Sequence, residues 1–352
     1  MTSNAAAPPT WPELLTALIG GTDLTRDEAL WAMTEIMTGE APAICLAGFL
    51  VALRAKGESV TELRALADVM VAQARRITVP GETLDIVGTG GDRSHTVNIS
   101  TMSAIVIAGA GRTVVKHGNR AASSSSGSAD VVEALGVDLS LPPERVEEIA
   151  AEAGITFCFA NQFHPAMRYA AEVRGGLKVA TAFNLLGPLT NPARPTYAAI
   201  GVADARMAPI MAGVFAERGQ AAAVFRGHDG LDELTTVDAS SLWWVRDGKV
   251  SEHTLTPEDV GLVRVAPEAL RGGEPAHNAA VVRALLAGRK DPVRDAVLLN
   301  AGTALAVAAG TAGHDTEAIV AAVSAGMVEA AESIDSGAAS AVLDRWVAAT
   351  RR

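Results

Sequence analysis

A serine-rich segment offers the clearest set of side chains for binding an anion. It lies within residues 114–136, where Lys116 ends an apolar run, Asn119 and Arg120 follow, and a helical pattern begins at Ala129. Small residues let a ligand approach the backbone, and serine hydroxyls with free N–H groups ahead of a helix are donors for an anion. A serine run alone is typical of a flexible linker. In this context we interpret it as a phosphate-binding loop between a strand and a helix.

A second glycine-rich loop follows another apolar run. The sequence GTGGD occupies residues 88–92, and TVNIST at residues 96–101 supplies polar side chains where the next helix begins. The pattern is neither the dinucleotide nor the Walker fingerprint. Any tight turn also needs glycine, and Asn98 or Ser100 would also suit an ordinary N-cap. Two such loops after two neighbouring strands favour a ligand with phosphate at both ends.

Two adjacent acids, Asp232 and Glu233, lie in a loop between strand-like segments. An acidic pair is most often solvated surface. Beside phosphate loops it suits Mg²⁺, which prefers oxygen ligands and is commonly shared between one or two carboxylates and substrate phosphates. The sequence therefore predicts a magnesium site here. No Cys/His set has zinc spacing, and no Gly-x-Ser-x-Gly nucleophile elbow occurs.

Three further polar residues are candidates for the wall of the site. They are His117, His164 and Arg174, and we predict that the last two share one helix. Ten residues are close to three helical turns, so these two would share a face about 15 Å apart. An arginine on a helix is normally solvated, whereas a buried one would bind a carboxylate through two parallel hydrogen bonds.

The N-terminal region, which must help to position these residues, is predicted to be helical. Helices are predicted to begin at Trp11, at Pro42 and at the capping boxes Thr25-x-x-Glu28 and Ser59-x-x-Glu62. No strand pattern interrupts them before Pro80-Gly81.

After residue 81 the pattern changes to alternating strands and helices. Strands are predicted at residues 84–87, 113–116, 155–159 and 221–225, with a hairpin turning at Asp247-Gly248. The segment Asn184–Pro192 interrupts the alternation, and between it and residue 221 only the helix Met207–Glu217 is predicted. Alternating strands and helices predict a mostly parallel sheet covered by helices, with ligands at the carboxyl ends of its strands, where both loops fall.

These elements predict the α/β fold class with two domains. The small N-terminal helical domain would cover residues 1–79 and be joined by a mid-chain segment around residues 178–195. The large α/β domain, with a mostly parallel central sheet covered by helices, would cover residues 80–352.

Composition excludes several classes of protein. The 352 residues are 49% hydrophobic but only 4% aromatic, and the formal charge of −11 argues against a nucleic-acid ligand. The longest apolar run, residues 44–53, is half the length that spans a bilayer, and the first residues lack the features of a secretion signal. The two cysteines lie in apolar runs, as buried thiols in a reducing compartment do. We expect a soluble cytoplasmic protein with no membrane or nucleic-acid partner.

Six motifs follow one another along the chain: GTGGD, TVNIST, VVKHGNRAASSSSGSADVVEALG, FANQFHPAM, FNLLGPLTNPA and HDGLDEL. In this order and spacing they resemble one enzyme family, anthranilate phosphoribosyltransferase of tryptophan biosynthesis, and the resemblance extends over nearly the whole chain. The resemblance implies a homodimer that uses Mg²⁺ to transfer the 5-phosphoribosyl group from phosphoribosyl pyrophosphate to the amino group of anthranilate, releasing pyrophosphate.

The resemblance also implies roles for individual residues. Lys116, Asp92 and Arg174 would be catalytic, and Ser100, Asp232 and Glu233 would bind the metal. Anthranilate would contact Gly88, His117, Asn119, His164 and Arg174. The residues that would bind phosphoribosyl pyrophosphate are Gly88, Gly91, Asp92, Thr96, Asn98, Ile99, Ser100, Thr101, Lys116, His117, Gly118, Asn119, Arg120, Ala121, Ala122, Ser123, Ser124 and Ser128.

The chain departs from the family pattern near the acceptor side. Family members commonly read LGIRT before FN, whereas this chain has Lys178 and Ala180 in place of the glycine and the arginine, and Asn161 stands where a proline is more usual. Two alternatives therefore stay open: a related phosphoribosyltransferase that uses another aminobenzoate, and a non-catalytic relative that binds nucleic acid.

Overall fold

The computed structural model describes residues 8–121 and 125–352, so the predicted ligand residues Ala122, Ser123 and Ser124 lie outside the described part. The strands are β1 (Thr83–Gly88), β2 (Thr113–Gly118), β3 (Ile155–Phe159), β4 (Tyr197–Gly201), β5 (Ala221–Gly227), β6 (Ser240–Arg246) and β7 (Lys249–Leu255). None of the helices formed by the described residues is long and apolar enough to cross a membrane.

Helices make up most of the remaining ordered chain. They are α1 (Trp11–Ile19), α2 (Arg26–Thr38), α3 (Ala43–Lys56), α4 (Val60–Ala72), α5 (Ile99–Gly109), α6 (Ser128–Leu135), α7 (Pro143–Ala153), α8 (Ala160–Phe163), α9 (Arg168–Leu177), α10 (Phe183–Leu186), α11 (Met207–Glu217), α12 (Pro275–Leu286), α13 (Pro292–Ala309), α14 (Thr316–Asp335) and α15 (Ala338–Thr350). Short 3₁₀ helices cover Pro165–Met167, Gly187–Leu189, Pro257–Val260 and Pro267–Leu270.

The first compact unit is helical and is built from two chain segments, the described residues up to Ala74 and His164–Thr190. Its helices α1 to α4 begin where the sequence predicts. At α2, the Glu28 amide donates to Thr25 Oγ1 (3.3 Å) and the Thr25 amide donates to Glu28 Oε2 (2.8 Å). Each group satisfies a donor that the first turn of a helix leaves unpaired.

The cap of α4 is also an internal anchor of the helical unit. Glu62 is fully buried, and its carboxylate accepts hydrogen bonds from the Leu24 amide (2.9 Å), the Ser59 amide (2.8 Å) and Lys56 Nζ (2.9 Å). A buried carboxylate is tolerated when its oxygens are hydrogen-bonded and a cation lies beside it. One capping residue thus ties the start of α4 to α3 and to the turn before α2.

The prediction that His164 and Arg174 share one helix is wrong. His164 has φ −119° and ψ 64°, outside the helical region, and a 3₁₀ turn separates it from the start of α9 at Arg168. The reason is Pro165, because the ring of a proline disfavours the helical conformation in the residue before it. Only Arg174 lies on α9.

The second compact unit comprises Arg75–Phe163 and Asn191–Arg352 and contains a seven-stranded sheet formed by the described residues. The strand order is β3-β2-β1-β4-β5-β6-β7. The pairs from β3 to β5 are parallel, and the pairs β5–β6 and β6–β7 are antiparallel. The predicted fold class, a helical domain with a larger α/β domain and a mostly parallel sheet, is confirmed.

Strand β4 lies at the centre of the sheet, yet no strand was predicted there. It reads Tyr-Ala-Ala-Ile-Gly, and alanine and glycine have low strand propensity. Its conformation is set by its neighbours, because β1 and β5 pair with it along its whole length. The predicted hairpin is confirmed: β6 and β7 are joined at Asp247 (φ 51°) and Gly248 (φ 70°).

Small residues let the helices of this unit pack closely. A Cβ atom placed on Gly326 of α14 would lie 2.2 Å from the carbonyl oxygen of Gly302 of α13. Helix α5, whose residues from Ile99 to Ala108 are buried except Ser100, packs against α13 and β1. In a chain with few aromatic residues, closely packed aliphatic side chains therefore fill the space between the helices and the sheet.

The left-handed residue at the end of α9 gives a testable prediction. Lys178 follows the helix with φ 53° and ψ 24°, a conformation that costs residues with a Cβ atom more than it costs glycine. Lys178→Gly is expected to raise the free energy of unfolding by about 0.5–1 kcal/mol, which corresponds to a rise of about 1–3 °C in the thermal midpoint. Lys178→Ala, which keeps the Cβ atom, should show no such gain; an equal gain in both variants would contradict this account.

Candidate active site

Four parallel strands end in glycine at the same edge of the sheet. Gly88, Gly118, Gly201 and Gly227 are the last residues of β1, β2, β4 and β5. The chain runs from β1 to β2 on one side and from β4 to β5 on the other, so the strand order reverses between β1 and β4. Such a reversal leaves a crevice at the carboxyl ends of the strands, where ligands of open α/β sheets bind. The GTGGD loop, the serine loop and the acidic loop all begin at this edge.

The acidic loop lies directly on the ends of β1 and β4. Gly88 and Gly201 are paired in register. A Cβ atom on Gly201 would lie 1.5 Å from the carbonyl oxygen of Asp232, and one on Gly88 would lie 2.1 Å from Asp232 Oδ2. Neither position has room for a side chain, so the two glycines are what allow the acidic loop to reach the crevice.

The structure brings three carboxylates together in this crevice. Asp92, Asp232 and Glu233 each place an oxygen atom within 4.8 Å of the others. Asp232 is buried and also accepts a hydrogen bond from the Gly90 amide (2.6 Å), which joins the acidic loop to the GTGGD loop. Three oxygen ligands at this spacing fit a hard divalent cation.

Burial and mutual repulsion change the pKa values of these acids. Burial, followed by repulsion from Asp92, raises the pKa of Asp232 to about 6. Burial and the charges of Asp232 and Asp92 raise the pKa of Glu233 well above its ordinary value, although Lys116 opposes the shift. A divalent cation would relieve this repulsion, so the electrostatics agree with the ligand chemistry.

Lys116 lies inside the sheet and is only 1% exposed. Its ammonium donates to the carbonyl oxygen of Ile86 and to Ser100 Oγ (3.3 Å). Burial lowers the pKa of Lys116 to about 8, and the carboxylates of Asp85, Glu233 and Asp232 oppose that shift. A largely buried cation near the carboxyl edge of the sheet can hold a phosphate oxygen.

A gap in the pairing of β1 and β2 accommodates the side chain of Lys116. The two strands pair only at Thr83–Thr113 and Leu84–Val114. Beyond these pairs the buried side chain of Asp85 accepts hydrogen bonds from the His117 amide (3.2 Å) and from Asn191 Nδ2 (2.8 Å), and the same Asn191 group donates to the Val115 carbonyl (2.7 Å).

Sequence reasoning missed both residues that bridge this gap. The signal for Asp85 was a single charge within an apolar strand, and burial raises its pKa to about 6. Asn191 belongs to the segment Asn184–Pro192, which was predicted only to interrupt the alternation of strands and helices. Nothing in the sequence indicates that its amide reaches two neighbouring strands.

The TVNIST segment lies against a second segment that was also missed. Thr96 forms an isolated antiparallel bridge with Arg271. Asn98 Nδ2 donates to the carbonyl oxygen of Ser126 (3.1 Å), and Asn98 Oδ1 accepts from Asn278 Nδ2 (2.7 Å). The side chain of Asn98 thus connects the serine loop to α12. Of the neighbouring predicted ligands, Ile99 and Thr101 are buried and Ser100 is half-buried beside Lys116.

The described part of the serine loop is held by its own side chains. The Asn119 carbonyl accepts hydrogen bonds from the Ala129 amide (3.2 Å) and from Ser128 Oγ (3.3 Å). Gly118 is also confined, since a Cβ atom there would lie 2.4 Å from Ser128 Oγ. These contacts fix the entrance of the loop next to the first turn of α6.

Two predicted acceptor residues, His164 and Arg174, belong to the helical unit. His164 is buried. The guanidinium of Arg174 lies 5.0 Å from the centre of the Phe183 ring, and burial lowers its pKa. Among residues 8–121 and 125–352, no carboxylate forms an ion pair with Arg174. A half-buried arginine that stacks on a ring and lacks an anion is suited to the carboxylate of a ligand.

The remaining predicted residues lie in the α/β unit. His117 is 2% exposed and ends β2 together with Gly118. Gly91 has φ 86° and belongs to the GTGGD loop, next to Asp92. The structure therefore gathers the glycine loop, Lys116 and the acids at one edge of the sheet.

Both parts of the chain match known families. Residues 12–74 match the glycosyl transferase family, helical bundle domain, and residues 80–340 match the glycosyl transferase family, a/b domain. Anthranilate phosphoribosyltransferase of Nocardioides sp. is 63% identical to this chain over 343 residues, which cover 97% of this chain and 99% of the relative.

Solved structures show the same fold. The crystal structure of anthranilate phosphoribosyltransferase from Thermus thermophilus has a TM-score of 0.89 and 44% identity, covering 96% of this chain and 99% of that one. The enzyme from Saccharomyces cerevisiae, solved in complex with PRPP (phosphoribosyl pyrophosphate) and Mg, has a TM-score of 0.83 and 26% identity over 99% of both chains.

The contact between Gly201 and the acidic loop can be tested by substitution. Gly201→Ala would place its methyl group on the Asp232 backbone, so the loop must shift; we expect the free energy of unfolding to fall by about 3 kcal/mol. Gly313→Ala is the matched control, because Gly313 lies in the same unit with nothing within 4 Å of the added atom. Denaturant unfolding of both variants measures the difference, and equal stability of the two would refute the close contact.

Proposed function

Because the chain belongs to the anthranilate phosphoribosyltransferase family, we propose that it transfers the 5-phosphoribosyl group from PRPP to the amino group of anthranilate. The bond between the anomeric carbon and the pyrophosphate oxygen breaks, and a bond from that carbon to the anthranilate nitrogen forms. The nitrogen loses one proton, and pyrophosphate leaves with the electron pair of the broken bond. The products are N-(5-phosphoribosyl)anthranilate and pyrophosphate.

One observation carries this proposal: buried Lys116 lies at the same sheet edge as the three carboxylates of Asp92, Asp232 and Glu233. The positive charge of Lys116 can bind a phosphate group, and the negative charges of the carboxylates can bind a divalent cation, so the pair suits a ligand that contains both. A sugar bearing a phosphate and a pyrophosphate is such a ligand when it carries Mg²⁺.

We assign the magnesium to Asp232 and Glu233, with Ser100 as a further oxygen ligand. Bound Mg²⁺ would neutralise charge that develops on the departing pyrophosphate. Lys116 contributes a fixed positive charge to the same purpose, and the backbone N–H groups of the GTGGD loop add donors at the carboxyl end of β1. Asp92, next to these glycines, completes the acid trio.

The acceptor is assigned to Arg174 of the helical unit. Its guanidinium would bind the carboxylate of anthranilate, with His117, His164, Asn119 and Gly88 as further contacts. The aromatic amine of anthranilate is neutral and nucleophilic, so the reaction needs little help from a strong base. Holding amine and sugar in line supplies most of the remaining rate enhancement.

Loss of anthranilate fluorescence tests the proposed function. Purified protein with Mg²⁺ and PRPP is expected to deplete the fluorescence, and other aminobenzoates should react more slowly. Faster turnover of another aminobenzoate would favour the related transferase left open by Lys178 and Ala180. No turnover of any aminobenzoate, together with salt-sensitive retention on DNA, would favour a binding protein.

The acceptor assignment predicts a selective effect of Arg174→Ala. Loss of a charged hydrogen-bond partner should raise the KM for anthranilate by about 10–100-fold, while the KM for PRPP changes less than about threefold. Arg168→Ala is the control, since Arg168 is an exposed arginine of the same helix that stacks on Tyr169. Equal changes in both KM values for Arg174→Ala would contradict the assignment.

We also propose that the enzyme is a homodimer that uses the helical unit. Ile19, Ile44 and Val51 are 79%, 83% and 46% exposed, and the last two are seven residues apart on α3, on one face. We interpret these exposed aliphatic side chains as part of an interface, and a second copy of this chain is the occupant we assign.

The assigned interface predicts that Ile44→Glu with Val51→Lys converts a dimer of 36.2 kDa chains into a monomer. The measurement is light scattering after gel filtration. Val328→Glu should stay dimeric, because Val328 is 68% exposed but lies on α14 of the α/β unit. Dissociation by the control, or none by the double variant, would place the interface elsewhere.

The remaining assignments concern the surroundings of the enzyme. Cys45 and Cys158 are free thiols, which fits the reducing cytoplasm. The net charge of −11 disfavours binding of a nucleic acid, whereas Mg²⁺ would offset the negative charge of a small anionic substrate. We therefore propose a cytoplasmic enzyme with neither a membrane nor a nucleic-acid partner.

A further inference from the structure

One carboxylate joins both sides of the serine loop. Asp130, in the first turn of α6, accepts hydrogen bonds on Oδ2 from the Ala121 amide (3.0 Å) and the Gly127 amide (2.9 Å). Its other oxygen, Oδ1, accepts from Arg120 Nη1 (3.0 Å). The two backbone donors stand on either side of residues 122–126, so a single side chain closes the base of the loop.

The backbones that Asp130 joins are in direct contact. A Cβ atom on Gly127 would lie 2.3 Å from the Ala121 nitrogen and 2.6 Å from the Arg120 carbonyl carbon. We call residues 119–121 and 126–129 the loop stem. No side chain fits between its two halves, which are held together by the hydrogen bonds to the Asn119 carbonyl and by those to Asp130.

Arg120 also takes part in the hydrogen bonds at the base of the loop. Its guanidinium donates to both carboxylate oxygens of Glu133 (2.6 and 2.9 Å) in addition to Asp130, and it lies 5.5 Å from the centre of the Phe159 ring. Burial alone would raise the pKa of Asp130, but the two amide donors and Arg120 outweigh it, so its pKa lies below the ordinary value. Asp130 is therefore charged at neutral pH.

The opposite side of the stem is fixed by uncharged groups. The Ser126 carbonyl accepts from Asn98 Nδ2 (3.1 Å), Asn98 Oδ1 accepts from Asn278 Nδ2 (2.7 Å), and Asn278 Oδ1 accepts from the Gly273 amide (2.8 Å). Asn278 is 2% exposed. The stem is thus held between this amide chain and Asp130, which implies that its geometry matters to the loop it carries.

We propose that Asp130 is a positioning residue for PRPP binding, and that Arg120 acts with it in the loop stem instead of binding phosphate directly. The proposal rests on the proposed function and deepens it. The amides of Ala121 and Gly127 donate to Asp130 and are therefore not available to a phosphate group. Without Asp130, substrate binding would have to order the stem and would be weakened accordingly.

Three variants separate the backbone contact from the charge. Asp130→Ala removes the acceptor of both amides. Asp130→Asn keeps one oxygen that can accept from both amides but turns an N–H donor toward Arg120. Glu133→Gln removes the same unit charge three residues later, at a carboxylate whose hydrogen bonds within the described residues come from Arg120. All are measured as full-length protein by steady-state kinetics in both substrates and by equilibrium titration with PRPP.

We expect a graded, substrate-selective result. Asp130→Ala should raise the KM and Kd for PRPP by about 10–30-fold, the range produced by loss of one or two hydrogen bonds to a charged group. Its KM for anthranilate should change less than about threefold. Asp130→Asn should raise the KM for PRPP by about two- to fivefold, and Glu133→Gln by less than about twofold.

Amide hydrogen exchange supplies a reading that does not depend on activity. Peptides covering residues 119–129 should exchange faster in Asp130→Ala than in the wild type, while those of β1 and β4 stay unchanged. Faster exchange in all these peptides would show general destabilisation and would overturn the positioning role. If Asp130→Ala does not fold, the ratio of KM values in Asp130→Asn decides the question.

Other outcomes would also overturn the proposal. Unchanged PRPP affinity in Asp130→Ala would show that the stem does not govern binding. An equal loss in Glu133→Gln would assign the effect to the loss of charge and not to the amide contacts of Asp130. Equal increases in both KM values would indicate a structural role only. Failure of the proposed function is distinguishable, because in that case the wild-type protein itself would not consume anthranilate.

Discussion

The withdrawal of one lysine from water is the constraint on which the site depends. An ion moved into a protein interior costs several kcal/mol unless hydrogen bonds and opposite charges compensate. For Lys116 the compensation comes from Ile86, Ser100 and the carboxylate of Asp85, all within the α/β unit. The sheet accommodates this arrangement by separating β1 from β2 and bridging them with side chains. A phosphate oxygen would complete what these groups begin, since an ammonium has three donors.

The acids at the same edge of the sheet form a cluster of negative charges. Asp92, Asp232 and Glu233 repel one another, and the glycines at the ends of β1 and β4 bring the acidic loop so close to the sheet that Asp232 is buried. Charges that the fold holds in place need no reorganisation when a reaction begins. A ligand that carries a divalent cation, a phosphate and a pyrophosphate would satisfy both the lysine and the acids, and such a ligand would explain why glycine, lysine and acidic residues occur together at this edge.

Local sequence rules predicted much of this. The capping boxes, the two loops and the acidic pair are signals of short range, and the fold class follows from alternating strands and helices. Side chains that act across the fold could not be predicted. Asn191 and Asn278 look like ordinary loop and helix residues until the chain is folded, and β4 is a strand because of its neighbours. The helix predicted to contain both His164 and Arg174 begins only at Arg168, because Pro165 disfavours the helical conformation in the residue before it.

In our proposal the acids at the sheet edge and a divalent cation bind PRPP together. Calorimetric titration with PRPP, with and without Mg²⁺, tests it on the wild type and on Asp232→Asn with Glu233→Gln. Asp238→Asn serves as control, because Asp238 is paired with Arg264 outside the crevice. We expect at least about tenfold tighter binding of PRPP with Mg²⁺ in the wild type and the control, and none of this gain in the double variant. The same gain in all three proteins would contradict it.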